Sequence, residues 1–99
     1  MLLHTVSKSP WDSEALRSCL RVALPGSVIL LVEDGVYAAS AGCEAAQEIA
    51  VLTDIRCFAL TPDIKARGLE QCLDTNIKLA DFDDFVRLSN ECHAVQSWY

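Results

Sequence analysis

The apolar residues of this chain fall into two kinds of run: some recur at helical spacing, and others are continuous. Val28 to Val32 is continuous and ends abruptly in Glu33-Asp34-Gly35. A strand without alternation must be covered on both faces, as in the centre of a parallel sheet. Leu2 to Val6 predicts a first strand, Ile55 to Leu60 (IRCFAL) a third, Ile77 to Ala80 a short fourth and Ala94 to Trp98 a last. Helical patterns lie between them. Ser9 is placed at a helix N-cap with Pro10 at the first helical position, and a start at Asp12 is the alternative. Leu16, Cys19, Leu20 and Ala23 then follow i, i+3, i+4, i+7 spacing, with Glu14, Arg17, Ser18 and Arg21 on the other side, before Pro25-Gly26 ends the helix. Small residues from Val36 to about Leu52 predict a second helical stretch broken at Gly42. Pro62 opens a helical turn, PDIKARG, closed by Gly68. Asp81 caps the last helix, with Asp83 and Asp84 in its first turn and Phe82, Phe85, Val86 and Ser89 on one face. Strands alternating with helices predict an α/β fold: a three-layer α/β/α single domain over residues 1–99, with a mostly parallel sheet of about five strands.

At 99 residues the chain is the size of one domain. A domain this small buries only about 60–65% of the surface of its unfolded chain. Yet 52% of its residues are apolar. The surplus predicts an oligomer, because apolar surface left outside the core commonly marks partner interfaces. The net charge of −6 argues against direct binding to nucleic acid. No apolar run approaches the roughly 20 residues that span a bilayer, so no membrane segment is expected. MLLHTVSKSP lacks the basic and long apolar regions of a signal peptide, which points to the cytoplasm.

Candidate chemistry is sparse. There is no G-x-G-x-x-G and no phosphate-binding P-loop, and no glycine follows the first strand to cradle a flavin phosphate. A receiver domain would need acidic residues where Ser7 and Lys8 stand, although Asp63 follows the third strand. The histidines, His4 and His93, lie at opposite ends of the sequence, and no paired metal-ligand spacing is present, so neither a metal nor a cofactor is expected. The five cysteines, Cys19, Cys43, Cys57, Cys72 and Cys92, are odd in number and irregularly spaced, as expected for reduced thiols that pack mainly as small apolar groups. Glu33-Asp34-Gly35, with Tyr37 just after, falls at the carboxyl end of a central strand, where open α/β sheets place ligands and partners. Acid–base work by the carboxylate pair is one reading. A turn whose carboxylates accept backbone N–H bonds, on an edge shared with partners, is the stronger one.

Several segments carry a resemblance: LHTVSKSPW (Leu3 to Trp11), ILLVEDGVYAA (Ile29 to Ala39), FALTPDIKARGL (Phe58 to Leu69), DFDDFVRL (Asp81 to Leu88) and VQSWY (Val95 to Tyr99). Together, in order and over the whole chain, they resemble the DsrH/TusB family of the DsrE/F/H-like sulfur-relay proteins. The resemblance implies a cytoplasmic heterohexamer with two homologous subunits, one DsrE/TusD-like and one DsrF/TusC-like. That complex passes persulfide sulfur to a small DsrC/TusE-like carrier protein, for 2-thiolation of the tRNA wobble uridine or for dissimilatory sulfur oxidation. In the subunits that carry the persulfide, the reactive cysteine follows the third strand. Here that place reads Leu60-Thr61-Pro62-Asp63, and Cys57 comes too early. The resemblance therefore implies a non-catalytic or auxiliary subunit. Cys19, at a position where sulfur-oxidation members have a cysteine, is the candidate persulfide thiol; Glu33, Asp34, Gly35 and Tyr37 are the interface candidates. A stand-alone sulfurtransferase using Cys19 and a plain interaction module are the alternatives.

Overall fold

A computed structural model describes residues 2–98. Five strands form one sheet: β1 (Leu2–Val6), β2 (Val28–Leu31), β3 (Arg56–Leu60), β4 (Lys78–Ala80) and β5 (Ala94–Trp98). Their spatial order is β4-β3-β2-β1-β5, and every pairing is parallel. The helices are α1 (Ala15–Val22), α2 (Glu44–Ala50), α3 (Thr61–Ala66) and α4 (Phe82–Glu91), with a 3₁₀ helix over Glu33–Ala39.

The strand order places the helices. From β1 to β4 the chain steps across the sheet in one direction, and right-handed crossovers then put α1, the 3₁₀ helix, α2 and α3 on one face. The step from β4 to β5 runs back past β1, so α4 crosses the opposite face. Two cores follow. The larger joins Val6, Leu16, Cys19, Ile29, Leu31, Val36, Ala46, Ile49, Cys57 and Ile64; the smaller joins Leu3, Val28, Leu30, Ala80, Leu88 and Cys92. β2 feeds both, because Ile29 and Leu31 point one way and Val28 and Leu30 the other. All four are fully buried, which is why the run is continuous. Each such side chain contributes about 1.5–3 kcal/mol on burial.

Three local expectations are revised. α1 begins at Ala15 rather than after Ser9. The Ser9 hydroxyl accepts the Trp11 amide at 3.1 Å and the Ser13 hydroxyl accepts that of Ala15 at 3.0 Å, so residues 9–13 are spent on two hydroxyl-stabilised turns. The segment after β2 is 3₁₀ from Glu33 to Ala39, and α-helix resumes only at Glu44, past the break at Gly42. On α4 the residue fully buried is Leu88, with Phe85 and Cys92 packed beside it, while Phe82 and Val86 are exposed. The expected start of α4 holds: the Asp81 carboxylate accepts the Asp84 amide at 2.8 Å, and the Asp84 carboxylate accepts the Asp81 amide at 3.0 Å.

Candidate functional site

The carboxyl ends of β1, β2 and β3 gather the polar side chains that sequence order keeps apart. At the end of β2 the chain turns sharply. Glu33 adopts φ +50°, a left-handed conformation rare outside glycine and asparagine, and its amide donates to the Asp63 carboxylate of α3 at 2.8 Å. Gly35 follows, buried against β1. A Cβ there would lie 2.0 Å from the Val6 carbonyl oxygen, so only glycine lets the two backbones approach. Val36, Ala38 and Ala39 then pack into the larger core, which fixes the turn to the sheet.

That turn presents Asp34 and Tyr37 to α3. Nε and Nη2 of Arg67 donate to one carboxylate oxygen of Asp34, at 3.1 and 2.9 Å. Nη1 of Arg67 donates to the Asp63 carbonyl at 3.3 Å and stands 3.8 Å from the Asp63 carboxylate. The Arg67 guanidinium carbon lies 6.0 Å from the centre of the Tyr37 ring, and Trp11 packs on Tyr37 with ring centres 5.3 Å apart. The result is a stack, Trp11–Tyr37–Arg67, closed by Asp34 and Asp63. Of the interface candidates, Asp34 and Tyr37 take part through their side chains, Glu33 through its amide and Gly35 by its smallness. Asp34 accepts from a guanidinium, not from backbone N–H groups, and the Glu33 carboxylate forms no ion pair among the described residues. Sequence reading missed Arg67 and the role of Trp11. The signal for Arg67 was its place four residues after Asp63, the spacing that puts both on one side of a helical turn.

The thiols lie elsewhere. Cys19, on the inner side of α1, and Cys57 of β3 are buried together in the larger core, and Cys92, at the end of α4, is buried in the smaller. Burial pushes the Cys19 thiol up to about 12. At neutral pH that leaves on the order of one thiolate in 10⁵ molecules. Burial, and then the neighbouring Cys19, raise the Cys57 thiol as well. Cys43 is half-buried and Cys72 exposed. His4 is also buried. Its Nδ1 accepts the Trp98 indole N–H at 3.0 Å, so the neutral ring carries its proton on Nε2, which has no partner among the described residues. Burial lowers its pKa. No group of three or more His, Cys, Asp or Glu residues among the described residues is arranged to hold a metal ion, and no helix among them is long and apolar enough to cross a membrane.

The carboxyl edge is thus an ion-paired aromatic stack, and Cys19, Cys57 and Cys92 are buried away from it in the two cores. Residues 8–95 match the family described as DsrH like protein. The chain belongs to the DsrH/TusB family. This DsrH/TusB member is 38% identical over 99 residues to Protein TusB of Enterobacter sp. (strain 638), and 33% identical over 97 residues to Protein TusB of Pectobacterium parmentieri. Each alignment covers 98% of this chain and 100% of the relative. Among solved structures, the ychN protein of Escherichia coli superposes with a TM-score of 0.87 at 17% identity, over 97% of both chains. That likeness places this family member in the ychN-like fold. The resemblance drawn from the five sequence segments is therefore correct, and so is the expected α/β sheet, which is parallel throughout.

Proposed function

We propose that this chain is a subunit of a cytoplasmic sulfur-relay complex that serves 2-thiolation of the tRNA wobble uridine, and that its own task is assembly and docking. Whole-length identity of 33–38% to several proteins named TusB carries the reading. The partners are two homologous subunits, TusC-like and TusD-like, in a heterohexamer, and a small TusE-like carrier that receives persulfide sulfur. Two features of the chain support a docking role. The place after β3 holds Thr61-Pro62-Asp63 rather than a cysteine, and Asp63 is engaged by Glu33 and Arg67. Trp11, Leu24 and Val51 are each exposed by about two thirds or more, the kind of surface a partner covers. Cys19 would receive sulfur only with α1 displaced, since both its thiolate and its accessibility are withheld by burial.

The test is to co-express the chain with TusC-like and TusD-like subunits from the same organism and treat the purified material with a persulfide donor. One co-eluting complex is expected, with the +32 Da adduct on a partner subunit and none on Cys19. Separate elution of three folded chains would refute the assembly. A Cys19 adduct that disappears in Cys19→Ser would replace docking with direct sulfur handling.

A further inference from the structure

A second surface lies beside the aromatic stack, on the face that α4 covers. A cleft of about 340 Å³ opens where the carboxyl ends of the central strands meet the first turns of α4. Val32, Leu60, Phe82 and Phe85 supply its apolar lining, and Glu33 and Asp63 its charged one. The strand order explains why it is open: α3 leaves β3 toward one face and α4 leaves β4 toward the other, so nothing fills the space between their first turns.

Folding does not account for what this cleft displays. The start of α4 is already secured by the reciprocal bonds of Asp81 and Asp84, and its hold on the sheet by Leu88. Yet Phe82 is 61% exposed and Val86, one turn further on, 59%. The charge left unpaired at the cleft is negative. The Glu33 carboxylate forms no ion pair among the described residues, and Asp81 and Asp83 are exposed beside Phe82. The nearby guanidinium groups are taken: Arg67 is bound to Asp34 and Asp63, and Arg87 to Asp84 and Glu91. Lys8 and Lys65 do not line the cleft. A thiolate, persulfide or phosphate entering it would face Glu33 and Asp63 across an apolar floor. A cation would be drawn to Glu33, since Asp63 is already held by Arg67 and the Glu33 amide, and the phenylalanine rings add a favourable surface for it.

We propose that this cleft docks a cationic, apolar segment of a partner protein: a short stretch of chain carrying an aliphatic or aromatic side chain next to a lysine or arginine. The apolar side chain fills the space between Phe82, Phe85 and Leu60, and its charged neighbour meets the Glu33 carboxylate. Volume agrees with this occupant, since about 300 Å³ is the low end of ligand clefts and suits one or two side chains. The proposal goes beyond the sulfur-relay reading and does not depend on it.

The experiment is a titration of the full-length ¹⁵N-labelled chain, followed by amide shifts, with the blocked tetrapeptide Ac-Lys-Leu-Phe-Lys-NH₂ and its charge-reversed partner Ac-Glu-Leu-Phe-Glu-NH₂. The cationic peptide is expected to give saturable shifts clustered at Val32, Glu33, Asp63, Phe82 and Phe85. The acidic peptide, and the Phe82→Ser and Glu33→Gln chains, should each bind about tenfold more weakly or not at all. Both substituted side chains are exposed, and a dispersed amide spectrum verifies that each variant is folded. Shifts absent from these residues, equal binding of the acidic peptide, or undiminished binding by a folded variant would overturn the proposal.

Discussion

Gly35→Ala tests the account of the turn that ends β2. The added Cβ would sit 2.0 Å from the Val6 carbonyl oxygen and 2.9 Å from its carbon, where ordinary contact begins near 3.4 Å. Neither side can yield cheaply. The Val6 carbonyl accepts the Val32 amide at 3.0 Å, and Gly35 itself donates to the Val32 carbonyl at 2.8 Å. Relief therefore means breaking a bond of the turn or lifting the 3₁₀ helix from the larger core. Overpacking a well-filled interior costs typically 1–3 kcal/mol, and two clashing backbones belong at the upper end, about 3 kcal/mol. For a domain of this length that lowers Tm by roughly 12–24 °C, at about 4–8 °C per kcal/mol. Gly26→Ala is the control. Its φ is +88° but nothing lies within 4 Å of the new Cβ, so only left-handed backbone strain of about 1 kcal/mol remains. Thermal unfolding followed by circular dichroism compares the two. If Gly35→Ala melts no lower than Gly26→Ala, the close approach of the backbones is not what requires glycine at position 35.

Arg67→Ala should lose about 1 kcal/mol in urea unfolding. The figure is held down by the exposure of Asp34, and the loss should shrink between 0.05 and 0.5 M salt, roughly a threefold change in screening length; a loss independent of salt would locate the effect in packing on Tyr37. Burial holds the His4 pKa below 6.5, so the unfolded chain binds the extra proton as pH falls through 6.5 toward the folded value. Stability should therefore decline from pH 7.5 to pH 5, and more in the wild type than in His4→Gln, as read from urea midpoints; parallel declines in the two chains would remove His4 as the cause.

Much of the architecture was legible because it depends on local chemistry. The Asp81–Asp84 box is a matter of two residues three apart, and the continuous Val28–Leu31 run states directly that both sides of β2 are covered. Where sequence reading slipped, a competing local bond or a distant partner decided. Ser9 does accept the Trp11 amide as a cap would, but only one turn forms there, and the Ser13 hydroxyl takes the Ala15 amide where α1 begins. Phe82, Phe85 and Val86 share a face by periodicity, yet the sheet meets α4 along Leu88, which leaves Phe82 and Val86 outside.

By itself the sequence determined the family, the alternation of strands and helices, and the turn at Glu33-Asp34-Gly35. These rest on spacing within a few residues and on the order of short motifs. Only the tertiary structure decided what that turn is for. Arg67 reaches Asp34 across 33 residues, Trp11 reaches Tyr37 across 26, and Cys19 on α1 is buried in the same core as Cys57. Such pairings follow from the parallel strand order, which brings three carboxyl ends to one edge; no periodicity along the chain encodes the distance between residues that the sheet places side by side.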